Sequence, residues 1–219
     1  MGLMELSDFR DELDAILGDR VDDNDRLDRW VNFGYLDLSG ALDFDELNDL
    51  HDLNVQSGTA DYDVPDSTRL IKAVVDNDEG EYLDYVDPTE YFRLDRSVSG
   101  DALRWTRFAN KIRLHPTPSS NADFLVLRKI DPTLLDGDTD TTVIPATWDT
   151  AVHILSVYHG LLALDERETK VNSWLSRAIT YIQTRATQEE MFAKESGLGL
   201  SFALPLEKRL SLLQQTGGS

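Results

Sequence analysis

The sequence predicts an α+β fold: a helical bundle built from N- and C-terminal helices, an inserted and mainly antiparallel β subdomain, and an extended C-terminal tail. Three observations predict it. Apolar residues recur at helical spacing near both ends of the 219-residue chain. Between these ends, short runs rich in β-branched residues alternate with Gly, Pro, Asn and Asp turns. From Ser196 the pattern changes, and Gly197, Gly199 and Pro205 punctuate an apolar tail. The expected boundaries are 1–42 for the first helices, 43–144 for the β-rich insertion, 145–195 for the returning helices and 196–219 for the tail.

Ser7 can cap a first helix whose Phe9, Leu13, Ile16 and Leu17 share a face and which Gly18 ends. The polar joint Asp22-Asp23-Asn24-Asp25 leads into a second helix over about Asp25 to Ser39, striped by Leu27, Trp30, Val31, Gly34 and Leu38. Glycine weakens a helix, so Gly34 is expected where another helix passes closely. Asp43 to Leu53 is ambiguous between helix and strand. Leu53 to Gln56 reads as extended, with Ala60 to Val64 as the return strand after the Ser57-Gly58 turn. Arg69 to Val75 and Glu81 to Val86 read as strands, and Asp87-Pro88-Thr89-Glu90 opens a short helix. Arg104 to Phe108 and Ile112 to His115 form a hairpin stopped by Pro116 and Pro118. Asp123 to Ile130 is a further strand. Pro145 and Trp148 open a helix over about Thr147 to Leu164, and the last helix runs over about Glu168 to Phe192.

Composition bounds the function. The chain contains no cysteine, which excludes disulfides, thiolate metal sites and a Cys nucleophile. No apolar run is long enough to span a bilayer, the acidic N-terminus lacks the apolar stretch of a signal peptide, and no membrane partner is expected. The net charge is −20, from 29 Asp and 12 Glu against 15 Arg and 6 Lys. Such a surface does not grip a DNA backbone by counterion release. The excess of Asp and scarcity of Lys suit a salt-loving host, and a high-GC genome favours the same residues.

Catalytic patterns are missing: Gly-x-Ser-x-Gly, Walker A and Gly-x-Gly-x-x-Gly do not occur. Carboxylate pairs arise by chance among so many acids, and only Asp149 beside Trp148 has an apolar setting. Asp136, Asp138 and Asp140 space three acids as a Ca²⁺ loop does, yet the glycine is misplaced and Thr147 stands where a bidentate Glu is needed, so an acidic turn is the simpler reading. His153 and His159 lie on different faces of one helix, and no His-x-x-x-His occurs. Neither metal nor cofactor is expected.

Basic residues gather once. Arg104, Arg107, Lys111, Arg113, Arg128 and Lys129 surround Trp105 and Phe108. A nucleic-acid face is one reading; a face that meets an acidic neighbouring subunit suits the charge of the whole chain better. The tail, with Leu198, Leu200, Phe202, Leu204, Leu206, Leu210 and Leu213, is too apolar for a solvated linker and reads as a segment that orders against a partner chain.

Several short motifs in order resemble the head-to-tail adaptor (connector) proteins of tailed viruses. They are Leu27-Asp28-Arg29-Trp30-Val31-Asn32-x-x-Tyr35-x-Asp37, Gly58-Thr59-Ala60-Asp61-Tyr62-Asp63-Val64-Pro65, Leu83-x-x-Val86-x-Pro88-x-Glu90-Tyr91-x-x-Leu94, Ile112-x-Leu114-x-Pro116-x-Pro118, Leu127-Arg128, Leu134 and Ile144-Pro145-x-x-Trp148. The resemblance spans about residues 3 to 190 and implies a structural, non-catalytic virion protein at the head-tail interface, made in the host cytoplasm. It implies a homo-oligomeric ring, usually a dodecamer, whose helical part lines the DNA channel and whose β part lies outside. The partners it implies are the portal, a downstream tail or second connector protein, and DNA that passes without specific binding. The tail has the composition of a portal-docking arm, and Arg104, Arg107, Arg113 and Arg128 are expected at the subunit interface, facing acids such as Asp22, Asp23 and Asp25 of the next copy. A carbohydrate- or host-surface-binding tail module, with Trp105 and Phe108 stacking on a ligand, is the alternative. A hydrolase and a DNA mimic are further rivals, but the acids neither pair in a visible cleft nor line one face.

Overall fold

The computed structural model describes residues 3–18, 20–21 and 23–196, with the side chains of 189–196 left aside. In chain order the elements are α1 (Leu6–Leu17), α2 (Asn24–Ala41), β1 (Asn48–Val55), β2 (Asp61–Asp63), β3 (Thr68–Asp76), β4 (Asp84–Tyr85), α3 (Pro88–Tyr91), β5 (Ser99–Gly100), β6 (Arg104–Phe108), β7 (Lys111–His115), β8 (Thr117–Pro118), β9 (Ala122–Ile130), α4 (Asp149–Ala163) and α5 (Glu168–Ser196). N- and C-terminal helices flank an inserted, mainly antiparallel β segment, which is the predicted α+β class. The chain forms two compact units. One comprises the described residues up to Glu46 and from Pro132 onward; the other is Leu47–Asp131.

In the helical unit, α1 buries Leu6, Phe9, Leu13 and Leu17. Ile16, expected on the same face, is half outside it and exposed. Ser7 does not cap the helix. The helix starts two residues earlier, at Leu6 with Glu5 in the cap position, and the carboxylate of Asp8 folds back to accept the amide of Glu5 at 3.1 Å. Asp23 caps α2 by accepting the amide of Asp25 at 3.0 Å. Buried residues occur almost all round α4, including Ala151, Val152, Ile154, Leu155, Val157 and Leu161, as expected for a helix covered by neighbours on several sides. Helix α2 crosses it closely. A Cβ on Gly34 would stand 2.7 Å from Ser156 Oγ and 2.8 Å from both Ser156 N and Val152 O, so the expectation of a close helix crossing at Gly34 holds.

In the β unit, β9 is the middle strand of the antiparallel sheet β1-β9-β3. The second sheet has the order β2-β7-β6-β4, with β4 parallel to β6, and a two-stranded pair joins β5 to β8. Inward residues of both sheets meet in one core: Leu53, Val55, Ile71, Val74, Phe124 and Val126 with Trp105, Ile112 and Leu114. The hairpin of β6 and β7 forms as expected. One pairing differs from the sequence reading and another is not assigned by it. Strand β2 does not return on β1 but pairs with β7, Asp61 opposite Arg113. The strand after the hairpin, whose partners the sequence does not assign, joins the other sheet between β1 and β3. Both pairings link residues far apart in sequence, which turn chemistry does not encode.

Candidate subunit interface

Strand alternation sorts the basic residues. Opposite residues of an antiparallel pair point to the same face, and the register pairs Arg104 with His115, Thr106 with Arg113 and Phe108 with Lys111. These six lie on the outer face of the four-stranded sheet. Arg107 pairs with Ile112 and therefore points the other way, where its guanidinium donates to the carbonyls of Arg69 at 3.0 Å and Thr68 at 3.4 Å. Arg128 belongs to the other sheet. It donates to both Asp49 at 2.7 Å and the Asp66 carbonyl and Thr68 hydroxyl at 2.8 Å each, tying β9 to β1 and to the start of β3. The four arginines thus divide: Arg104 and Arg113 share a face, while Arg107 and Arg128 stitch strands together.

The shared face carries an arginine–aromatic ridge. The Arg113 guanidinium lies between two rings, 5.3 Å from the centroid of Phe92 and 5.5 Å from that of Phe108. Those rings meet edge to face at 5.1 Å, and Arg96 stands 5.8 Å over Phe92. A guanidinium over a ring face is attracted by the negative centre of the π-system, by about 0.5–1 kcal/mol at exposed sites and more when desolvated. Asp61 pairs with Arg113 at 3.5 Å and Asp63 with Lys111 at 2.7 Å. Phe92 and Phe108 remain 42 % and 45 % exposed, an unusual state for two adjacent Phe side chains. Arg104 is exposed and forms no ion pair among the described residues. Nearby, burial and Arg104 push the imidazole of His115 below the ordinary histidine value. Phe92 and Arg96 were not expected at this face. The signal was the Tyr91-Phe92 pair directly after the Asp87-Pro88 helix start, of which Tyr91 turns inward to donate to the Leu114 carbonyl at 3.0 Å.

The acidic loop caps the N-terminus of α1. The carbonyls of Asp140 and Asp138 accept the amides of Leu6 at 2.8 Å and Ser7 at 3.1 Å, donors that a helix start otherwise leaves unmatched. The Asp140 carboxylate accepts the amides of Asp136 and Gly137 at 2.9 Å each, which closes the turn and holds its pKa below the ordinary carboxylate value. Asp138 pairs with Arg10, which also grips Asp28. The three acids therefore do not converge, and among the described residues no group of three or more His or acidic side chains could hold a metal ion.

A sequence model of a protein family described as SU10 adaptor protein matches residues 4–198. The chain belongs to the SU10 adaptor protein family. No curated protein matches the chain. The adaptor is accordingly a structural, non-catalytic virion protein of tailed viruses that acts at the head-to-tail connection, and the match gives no support to the carbohydrate-binding alternative. Residues 199–219 lie beyond the match.

Other candidate residues of the adaptor serve its own fold. Asp149, the acid singled out beside Trp148, is buried; it accepts the Met4 amide at 3.0 Å and the Thr142 hydroxyl at 3.2 Å, and burial raises its pKa. His153 stands 3.4 Å from Glu12, and His159 meets Asp37 at 2.8 Å on a different side of α4. The portal-docking candidates Leu198, Leu200, Phe202, Leu204, Leu206, Leu210 and Leu213 lie outside the described residues.

Proposed function

We propose that copies of the adaptor close into a ring, a dodecamer, between the portal and the next tail or connector protein, and that the ring surrounds the channel through which DNA passes. The observation that carries the subunit contact is the ridge of exposed Phe92 and Phe108 around the half-buried Arg113, with exposed Arg104 beside it, a cationic and apolar surface on a chain of net charge −20. Heterologous contacts that repeat by a fixed rotation close a ring, and they require two different surfaces on each copy. A basic ridge facing an acidic surface of the next copy supplies such a pair. Asp23 and Asp25 at the start of α2 are the acids assigned to it; Asp22, grouped with them, lies outside the described residues. Of the four arginines, Arg104 and Arg113 contact the neighbour directly, and Arg107 and Arg128 support the contact by holding the strands in register. The apolar tail, Leu198 to Leu213, docks on the portal. An acidic channel wall offers phosphates no cationic partners, so DNA slides without specific binding. The adaptor is made in the host cytoplasm and ends in the virion.

The test is the double variant Arg104→Glu and Phe92→Ser. Both side chains are exposed, so the fold persists, and ring formation on the portal, followed by negative-stain microscopy and native mass measurement, is lost. Rings that form as readily as with the unaltered chain would remove the ridge from the interface.

A further inference from the structure

Helices α4 and α5 leave an open groove of about 440 Å³ between them. Its floor is apolar: Tyr158 and Leu162 from α4, and Val171, Leu175 and Ile179 from α5, each set spaced four residues apart along its helix. Leu162 is 52 % exposed there. Its rim is acidic, with Asp165 and Glu166 in the connection between the helices and Glu168 at the start of α5. Glu166 is paired with Arg20 and Lys170, whereas Asp165 and Glu168 form no ion pair among the described residues. An apolar groove with an acidic rim suits a segment that presents leucines with a cation among them.

The chain contains one segment of that kind. Residues 197–219 hold no Asp and a single acid, Glu207, against Lys208 and Arg209, in a protein otherwise dominated by 29 Asp. Leu206, Leu210 and Leu213 recur at the spacing of one helical face, with Lys208 and Arg209 between them. Reach agrees with composition. From Ser196 back to Ile179 along α5 is about 26 Å at 1.5 Å per residue, a distance that about eight extended residues cover at roughly 3.3 Å each. That brings the segment beginning near Leu206 to the groove. As a helix, Leu206 to Leu213 would span about 10 Å, against about 12 Å of groove from Ile179 to Val171. Gly197 and Gly199 stand where the chain must reverse. A second copy's general surface is a poorer occupant, because it would bring more carboxylates to an acidic rim.

We propose that the α4–α5 groove is the seat of this chain's own C-terminal tail before assembly, with Leu206, Leu210 and Leu213 on the floor and Lys208 and Arg209 against Asp165 and Glu168. The proposal rests on the reading of the tail as the portal-docking arm, and adds where that arm sits in the free protein. The tail exchanges one apolar seat for another when the portal is present, so the apolar segment is covered in both states.

The absence of cysteine makes the test direct. Ser176, on the groove, and Ser211, between Leu210 and Leu212, are changed together to Cys in the full chain, and disulfide formation is followed under mild oxidation at low protein concentration. The expected result is a disulfide within one chain, at monomer mass, formed about tenfold or more faster than in the pair Ser173→Cys and Ser211→Cys, whose first site is exposed on α5 but does not line the groove. Adding Leu162→Asp to the first pair, a change at a half-exposed site, abolishes the difference. Equal rates for the two pairs would overturn the proposal, as would a disulfide only between chains that slows on dilution, which would give the groove to a second copy. The reduced variants are also tested for portal capture. Groove cross-linking without portal binding would refute the docking role alone, and portal binding with no groove cross-link would refute the seat alone.

Discussion

Gly34→Ala tests the packing that holds the helical unit together. Two effects oppose. Alanine stabilises a helix interior over glycine by about 0.8–1 kcal/mol, so propensity alone predicts a more stable protein. Against this, the new methyl would meet Ser156 Oγ at 2.7 Å and the backbone atoms Ser156 N and Val152 O at 2.8 Å. The two backbone atoms belong to α4 and cannot rotate away, so the helices must separate by several tenths of an ångström along a crossing that includes the fully buried Val31, Tyr35 and Leu38. Overpacking of this kind costs about 1–3 kcal/mol, and a collision with three atoms, two of them backbone, belongs at the upper end. The net loss is about 2 kcal/mol, or roughly 4–8 °C in Tm for a chain of this size. Gly160→Ala is the internal comparison. Its methyl meets Leu17 Cδ1 at 2.8 Å and the Trp30 ring at 3.1 Å, and the first of these is the end of a side chain that can move. Thermal unfolding followed by circular dichroism should therefore rank Gly34→Ala below Gly160→Ala. A rise in Tm for Gly34→Ala would mean that propensity wins and that α2 and α4 do not approach this closely.

Three further outcomes follow from the geometry. Asp140→Ala removes the carboxylate that closes the 136–140 turn, so it lowers Tm, while Asp136→Ala changes it little; equal Tm values would show that the turn does not hold α1 in place. Stability against pH separates two buried groups. Burial lowers the His153 pKa, with Glu12 opposing and Arg177 adding to the shift, so its contribution is complete above about pH 6.5 and is lost as the pH falls through the lower folded value. Burial raises the Asp149 pKa, so the folded state binds that proton more tightly and Asp149 works in the opposite sense, adding stability as the pH falls through its folded value. His153→Gln should flatten the acid-side loss and Asp149→Asn should steepen it, as read by denaturant unfolding at pH 7, 6 and 5; no change in either slope would refute the assignment. Finally, Tm should rise between low and molar NaCl, because salt screens the mutual repulsion behind a net charge of −20; a flat response would sink the reading of a salt-adapted surface.

The helices were legible because one face of each is buried. Phe9, Leu13 and Leu17 on α1, and Leu27, Trp30, Val31 and Leu38 on α2, show the period in sequence and all are buried. Gly34 was legible for a different reason: a helix-weakening residue inside a strong stripe calls for a steric cause. The pairing of β2 with β7 and the crossing of β9 to β1 and β3 were not legible, since strand partners are chosen by the whole core. The basic island was visible as composition but not as geometry. Arg107 and Arg113 are both arginines on the same hairpin, yet alternation places one toward β3 and the other between two phenylalanines. Similarly, the spacing of Asp136, Asp138 and Asp140 resembles a cation loop, whereas the loop's carbonyls cap the start of α1 and its carboxylates satisfy amides and Arg10.

The ring at the portal is the central proposal, and the most direct measurement is co-purification of the adaptor with its portal, with the full chain compared against a chain lacking residues 197–219. The account predicts a stable complex in which twelve full-length adaptors are counted by native mass and seen as a closed ring, and no complex with the truncated chain. A truncated chain that binds as tightly, or a full-length chain that stays monomeric beside the portal, would contradict it.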